Sequence, residues 1–492
     1  MTDPLTPIVI ALLAVPALAA AGGFLMPSVR AVDALGRGSA AFTAALAVGL
    51  AVAAIAAAPG TAGAERWYLL DPAAGVFLAL IGVVGVLSAF NSRSFLNHAS
   101  RGPASSRRAR ASYWAAFNVF WAALLAVPLA DNLGVAWLLV EATTAASAVL
   151  ITFSGKPSAL EAGWKYVVLT TLGLTVTLLG IVIVFAASGA DAIGALDWSA
   201  MASEFAGMSG EAGLVAFVLI IVGLAAKIGW APVHSWLPDA HSEAPPPVSA
   251  LLSAALLPAV LLIAWRTKLA LAGTLGDTAL QAPFIAFGLA SLAIAVPFLW
   301  RPMPFKRLLA YSSLEHMGIL AVGIGFASPL AIAGVVVHVA GHAIAKSLGF
   351  YTATPLLRQT PAAAAAPLVG LVGGSASVAF AAGTSLFALA GLPPLPLFVS
   401  ELMILLGGLQ AGMPVAVAAT ALLLALGFLG IAHALVEGLA GEPRVRRRAS
   451  RSFRPLAFLA AGSIAAMVAL TVVGVVLLPG SGLVEALTGG AT

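Results

Sequence analysis

The chain has 492 residues, of which 61% are hydrophobic and only 9% are charged, and its mean hydropathy is +1.05. Soluble domains carry about 25% charged residues, so this composition excludes a soluble globular protein and indicates a polytopic membrane protein. The absence of cysteine excludes disulfides, iron–sulfur clusters and thiolate metal sites on this chain. The formal charge of +5 does not indicate nucleic-acid binding, because the arginines lie in short loops between apolar segments.

Fourteen apolar segments of about 20 residues match the thickness of a bilayer. We therefore predict an all-α polytopic membrane protein with about 14 transmembrane helices. The first segment lacks a cationic n-region, so we predict a retained span and not a signal peptide. In chain order, the predicted spans are 5–26, 39–58, 72–90, 113–130, 133–153, 161–186, 211–229, 246–265, 282–299, 305–326, 330–350, 375–410, 413–436 and 455–478.

Lysine and arginine are concentrated in alternate loops. One set of loops holds eighteen of the 24 cations, including the arginine tail at 444–454; the opposite set holds three, and three lie inside spans. Loops rich in lysine and arginine stay in the cytoplasm, so we predict a multi-pass protein of the cell membrane with both termini outside the cytoplasm. The long acidic loop at 187–210 then also lies outside.

Prolines interrupt two of the predicted spans. The seventh breaks at Gly229-Trp230-Ala231-Pro232 and the twelfth at Pro393-Pro394. Broken helices at matching positions of two halves are typical of transport sites, and an offset of five helices inverts the topology. We therefore predict two inverted five-helix repeats with broken helices 7 and 12. The predicted division is helices 1–3 at 1–112, the first repeat at 113–268, the second repeat at 282–436 and a C-terminal helix at 455–492.

Ionisable residues inside the spans are the candidate functional residues, and Lys227 is the foremost of them. A charge at the centre of a membrane helix costs about 2.5–3.5 kcal/mol on insertion scales. A helix that carries this cost and then breaks is expected to line a polar cavity. The other candidates form, with Lys227, a titratable series through five helices: Glu141, Lys165, His338, His342, Lys346 and Glu401. Three of them recur every four residues and therefore share one face of a helix.

Simpler structural explanations exist for several candidates. A Glu141–Lys227 pair can hold two helices together without carrying protons, and Lys165, near a helix end, can extend its ammonium to the interface. Glu315 and His316 can cap the tenth span.

No cofactor or metal site is predicted. The sequence contains no P-loop or dinucleotide-binding fingerprint. His338 and His342 have a spacing that metal sites use, but the sequence places no third ligand within reach of them.

Four segments carry a resemblance to a known family. The longest runs from Lys227 to Leu252 and reads KIGWAPVHSWLPDAHSEAPPPVSALL; the others are FKRLLAYSSLEHMG at 305–318, the His338–Lys346 stripe, and LPP at 392–394 followed by Ser400-Glu401. The chain resembles the antiporter-like subunits of complex I, a family that includes Mrp-type cation/proton antiporters and membrane-bound hydrogenases. The sequences of these segments are most similar to those of the F component of hydrogenase-4.

The resemblance implies roles for individual residues. Glu141 and Lys227 would be the pair of the first half-channel, with His234 beside Lys227. Lys346 would be the central relay, Glu401 the terminal proton-exchanging group, and His338 and His342 would carry protons between the halves.

The chain departs from the family pattern on its eighth helix. The pattern has a lysine where this chain reads Leu257-Pro258-Ala259. The second break also lacks the glycine that usually follows its prolines. Both departures favour the alternative of a structural subunit that has lost pumping.

The resemblance implies a proton-translocating membrane subunit of a complex I-related oxidoreductase of hydrogenase-4 type, with no redox site of its own. Its expected partners are other membrane subunits, the lipid bilayer and protons, with sodium as an open alternative to protons. A secondary cation/proton antiporter of Mrp type and a non-pumping structural subunit remain the competing hypotheses.

Overall fold

The computed structural model describes residues 3–98, 106–187, 193–198, 200–201, 209–356, 367, 369–371, 375–441 and 454–488. Several residues used to predict the orientation lie outside this described part: Arg101, Arg358, Asp191, Glu204 and the arginines at 444–451. Within it the chain is helical except for loops, two isolated bridges and one hairpin, in which β1 (Gly63–Glu65) pairs antiparallel with β2 (Tyr68–Leu70).

The described part of the chain contains eighteen α-helices. The N-terminal ten are α1 Thr6–Gly22, α2 Val29–Ala56, α3 Pro72–His98, α4 Arg107–Ala126, α5 Leu133–Ile151, α6 Pro157–Ala187, α7 Gly210–Ile228, α8 Trp236–Glu243, α9 Pro246–Leu251 and α10 Leu257–Ala270. The C-terminal eight are α11 Asp277–Leu299, α12 Phe305–Phe326, α13 Pro329–Leu356, α14 Ala376–Leu389, α15 Pro396–Gln410, α16 Pro414–Ala440, α17 Arg454–Val476 and α18 Gly482–Leu487. A π-helical turn, Leu252–Leu256, joins α9 to α10, and four short 3₁₀ turns are Gly23–Leu25, Val127–Leu129, Thr152–Ser154 and Ile193–Leu196.

The predicted fold class is confirmed. Thirteen helical segments of the described chain are long and apolar enough to cross a membrane. The remaining predicted span, at 375–410, is the broken one, and its halves α14 and α15 are each too short to cross alone. The chain is therefore an integral membrane protein. The division into two inverted repeats stays a prediction.

Both predicted breaks are present. At the first, α7 ends at Ile228 and Gly229 adopts a left-handed φ of 80°. A side chain at Gly229 would also collide with Leu237. Both the left-handed backbone and the lack of space therefore require glycine at this position. The backbone groups that the break frees find partners, as a low-dielectric environment demands. Trp236 donates its indole N–H to Ala226 O at 2.7 Å, and Ala231 N–H donates to Ser291 Oγ at 3.0 Å.

The centre of the molecule is formed by two segments that other helices enclose. Every residue in the most apolar window of Pro246–Ala270, and in that of α12, is buried. Polar side chains on these two segments therefore face protein and not lipid, and they are the ones to examine for function.

A polar cluster anchors loops between spans at one end of the molecule. Arg266 pairs with Asp71 at 2.6 Å and donates to Pro128 O at 2.9 Å. Asn132 donates to Asp197 Oδ1 at 2.7 Å, and Trp198 N–H donates to Asp131 O at 2.9 Å. The Asp131 Oδ1 atom is buried without a hydrogen-bond partner. Burial, together with repulsion from Asp197, raises the pKa of Asp131 to about 6.

We expect Asp131→Asn to stabilise the protein at neutral pH. A carboxyl whose folded pKa is raised binds its proton more tightly in the folded state. It therefore costs stability as the pH rises from its unfolded pKa, about 4, through about 6, and the cost is complete above that. The measurement is the midpoint of thermal unfolding in detergent. The variant should exceed wild type at about pH 8 and match it at about pH 4. Asp71→Asn, which removes a direct ion pair, should instead lower the midpoint at about pH 8. Equal midpoints for Asp131→Asn and wild type at both pH values would contradict the assignment.

Candidate functional site

Lys227 is fully buried at the end of α7, and its neighbours are neutral. Its Nζ donates to Thr144 Oγ1 at 2.7 Å and to the Tyr166 hydroxyl at 2.5 Å, and it lies 4.5 Å from the centroid of the Tyr166 ring. These contacts replace part of the hydration of an ammonium, but none supplies a full negative charge. The Lys227 site can therefore exist with or without the extra proton.

Glu141 lies next to Lys227 without touching it. Its Oε1 accepts from Thr171 Oγ1 at 2.8 Å, and its Oε2 lies 3.5 Å from Thr144 Oγ1. Among the described residues, no direct ion pair joins Glu141 to Lys227. The expected pair is instead bridged by the Thr144 hydroxyl, which accepts from Lys227 and faces Glu141. A hydroxyl in this position can accept from one group while donating to the other.

Two other predicted residues lie apart from this pair. Lys165 pairs with Glu161 at 2.5 Å and with Asp239 at 3.4 Å, and about a third of its side chain is exposed. His234 is half-buried in the first break, with its Nδ1 buried and unpartnered. The structure describes no hydrogen bond between His234 and Lys227.

A row of contacting aromatic rings extends from Tyr166, beside Lys227, toward the second half of the chain. The Tyr166 ring lies 4.9 Å from the Trp236 ring, which lies 6.5 Å from His241. His241 stacks on Phe350 of α13 at 5.6 Å. His241 is fully buried, and neither of its ring nitrogens has a hydrogen-bond partner. The sequence analysis did not single out His241, although it lies inside the family motif.

Lys346 is the buried cation of the second half. It is fully buried on α13, and its Nζ donates to Leu309 O at 2.6 Å and to Ser312 Oγ. The next residue of α12, Ser313, shares a hydrogen bond of 2.7 Å with Ser253 in the π-helical turn. The segment that the family pattern would supply with a lysine therefore carries a buried hydroxyl pair one turn before Pro258.

Three buried histidines lie on the two helices that carry Lys346 and its hydrogen-bond partners. His316 Nδ1 lies 3.0 Å from His338 Nε2, and His338 Nδ1 lies 2.9 Å from Ser400 Oγ. His342 has no hydrogen-bond partner, and its ring centroid lies 5.2 Å from that of His316. The alternative explanation of His316 as a helix cap is excluded, because His316 lies in the middle of α12.

One arrangement of protons satisfies the hydrogen bonds of the His316–His338 pair. If Ser400 Oγ donates to Leu397 O at 2.8 Å, it accepts from His338 Nδ1–H. His338 Nε2 is then a lone pair, and it accepts from His316 Nδ1–H. His316 Nε2 is left as a buried lone pair with no hydrogen-bond partner. The hydrogen bonds of the pair thus run in one direction, and the acceptor without a donor is His316 Nε2.

Two carboxylates complete the site. Glu401 is half-buried on α15 just after the second break, and a Cβ at Gly391 would lie 2.8 Å from its Oε2. Glu315, on α12, is buried, and its Oε2 has no partner. The interpretation of Glu315 as a cap is also wrong, since it is in mid-helix and packs against Gly427, where any side chain would overlap it. Glu315 interacts electrostatically with both Glu401 and Lys346.

The position of Glu315 in the order of the spans marks it as a candidate once the two halves are compared. Glu141 lies on the fifth span and Glu315 on the tenth, the same offset of five helices that separates the two breaks. Each half thus carries one carboxylate on the span two before its broken helix.

Comparisons with known proteins identify the family and the fold. Residues 130–427 match the family described as "NADH:quinone oxidoreductase/Mrp antiporter, TM". The chain is 30% identical over 384 residues to the hydrogenase-4 component F homolog of Methylacidiphilum infernorum, covering 77% of this chain and 80% of the relative. It is 28% identical over 399 residues to the NADH-quinone oxidoreductase subunit N of Desulforudis audaxviator, covering 79% and 75%. A chain of respiratory complex I from Thermus thermophilus has the same fold, with a TM-score of 0.80 at 22% identity and 98% coverage of both chains.

Proposed function

Because the chain belongs to the membrane-subunit family of NADH:quinone oxidoreductases and Mrp antiporters, we propose that it translocates protons within a complex I-related oxidoreductase of hydrogenase-4 type. One observation carries the proposal. A series of titratable groups runs from Glu141 to Glu401. Its inner members Lys227, His241, His338, His342 and Lys346 are fully buried, and the two glutamates at its ends are half-buried. Buried ionisable groups are too costly to keep without a use.

The route has a start, a bridge and an end. Glu141 and Lys227 exchange a proton through Thr144 when a neighbouring subunit changes the field around them. Ordered water would carry the proton past Trp236 to His241, which is electrostatically coupled to Lys346. From Lys346 the proton passes through the histidines to Glu401, whose partial exposure makes it the exit.

The absent lysine near Pro258 does not remove the bridge in this proposal. His241 stacks on Phe350 of the second half, and the Ser253–Ser313 pair supplies buried hydroxyls between the π-helical turn and α12. Ordered water between these groups would complete the route, since buried polar sites hold such water. In the proposed orientation, the chain lies in the cell membrane and both of its termini lie on the side away from the cytoplasm.

Two alternatives rest on specific observations. The family includes Mrp antiporters, so the same groups can serve a secondary cation/proton exchange that needs no redox donor. The neutral partners of Lys227 and the missing lysine also fit a subunit that only holds the membrane arm together.

Purification through an affinity tag in mild detergent, with mass spectrometry of the co-eluting proteins, tests the choice of assembly. The proposal expects a hydrogenase-like large subunit and iron–sulfur subunits. Elution of this chain alone, or with small antiporter subunits only, would contradict it and support secondary transport.

A further inference from the structure

We propose that His316, His338 and Glu401 form a binding site for a divalent transition-metal ion of the zinc class, and that the bound ion blocks the proton route. The binding does not depend on the proposed function, whereas the block rests on it. The three residues come from three different helices, α12, α13 and α15, so their spacing in the sequence gives no sign of the site.

The geometry suits a single small ion. One ligand atom from each of the three residues lies within 4.8 Å of those from the other two. Both histidines are buried, and Glu401 is half-buried, which gives an incoming ion one accessible ligand. Zinc sites that keep an open position use three protein ligands, and two histidines with one glutamate are one such set.

The ligands are oriented before any ion arrives. Ser400 accepts from His338 Nδ1–H, which leaves His338 Nε2 as a lone pair directed at His316. A hydrogen bond to the second ring nitrogen is the usual way in which a metal-binding histidine is held in place. The one hydrogen in the way is that of His316 Nδ1, 3.0 Å from His338 Nε2. Binding through Nδ1 releases this proton or transfers it to the free Nε2 of the same ring.

Charge favours a divalent ion over a monovalent one. Glu401 gains one negative charge when an incoming ion displaces its proton, and the nearby Glu315, whose Oε2 lacks a partner among the described residues, can supply a second in the same way. The two carboxylates together balance a divalent ion. Imidazole nitrogen is a poor ligand for sodium, magnesium or calcium and a good one for zinc, copper or nickel. The site is therefore distinct from any site for a transported alkali cation.

An ion at this place would stop proton transfer. It occupies the lone pair of His338 that accepts from His316, and it removes the Glu401 carboxylate from exchange. Electron transfer in a partner enzyme does not pass through these residues, so zinc is expected to uncouple and not to inhibit the redox reaction directly.

Equilibrium binding of radioactive zinc to the purified assembled complex tests the site. Wild-type complex should bind one more zinc ion per chain than complexes carrying His316→Gln or His338→Gln. His433→Gln is the matched control, because His433 is half-exposed and its one ion-pair partner among the described residues is Glu437. Binding should weaken as the pH falls, because protons compete for the same nitrogens.

The outcomes separate the two levels of the proposal. Equal zinc binding by wild type and by both buried-histidine variants would overturn the site. Zinc binding that is lost in the variants but has no effect on proton translocation would keep the site and contradict the proposed route. Partial loss in His316→Gln and His338→Gln, with none in His433→Gln, would support a site in which the remaining two ligands still hold the ion weakly.

Discussion

Replacing Lys227 with methionine should reduce redox-linked proton translocation at least about tenfold, the equivalent of about 1.4 kcal/mol, while the complex still assembles. Lys227 donates to both Thr144 and Tyr166, and through Thr144 it is linked to Glu141. Methionine has a similar length and no charge, so it removes proton binding without leaving a cavity. Removing a buried cation that has no direct counter-ion should not destabilise the fold.

Lys268→Met is the matched control for Lys227→Met. Lys268 is also a buried lysine, with 7% exposure, and its ammonium donates to Ile324 O at 2.9 Å, away from the titratable series. We expect Lys268→Met to keep wild-type translocation. Equal translocation by assembled Lys227→Met and wild-type complexes, measured by acidification with a pH-sensitive dye, would show that Lys227 does not carry protons.

Glu315→Gln should reduce translocation as strongly as Glu401→Gln. Glu315 interacts electrostatically with both Lys346 and Glu401, and its Oε2 has no hydrogen-bond partner among the described residues, so we attribute its burial to proton exchange. Glutamine has the same shape, and it therefore still fits against Gly427. The loss should accordingly appear in translocation with the amount of assembled complex unchanged.

The control for the carboxylates is Glu437→Gln. Glu437 is half-exposed on α16 and pairs with His433 at 3.6 Å, outside the buried series. Full translocation by Glu315→Gln, in complex assembled as well as the Glu437→Gln control, would limit the second half to Glu401 and the histidines.

Much of the fold was predictable because the membrane imposes it. Apolar runs of bilayer length and the prolines at 232 and 393–394 predicted the spans and both breaks, which the structure confirms. The broken span at 375–410 was recognisable because its apolar stretch is too long for one straight helix. The orientation stays a prediction, since several of the cations that carry it lie outside the described residues.

Several residues of the candidate site can be singled out from the sequence, but their contacts cannot, and His241 escapes notice. Lys227, Lys346, Glu141 and Glu401 stood out because charges are rare in membrane helices. The bridging role of Thr144 could not be found in this way, because hydroxyls are common in such helices.

The second half shows the same limit. His316 and Glu315 were misinterpreted because their depth within a helix, and their neighbours on other helices, depend on packing. The metal-ligand set formed by His316, His338 and Glu401 has no local spacing, so no motif could reveal it.

The central claim is that protons cross through this chain along one continuous series. The most direct test is the proton-to-electron ratio of the purified complex in sealed vesicles, compared for wild type, Lys227→Met, Glu401→Gln and the double variant. The account predicts a lower ratio in both single variants, no further loss in the double variant, and retained electron transfer. An unchanged ratio in the assembled double variant would contradict it and assign the chain a structural role.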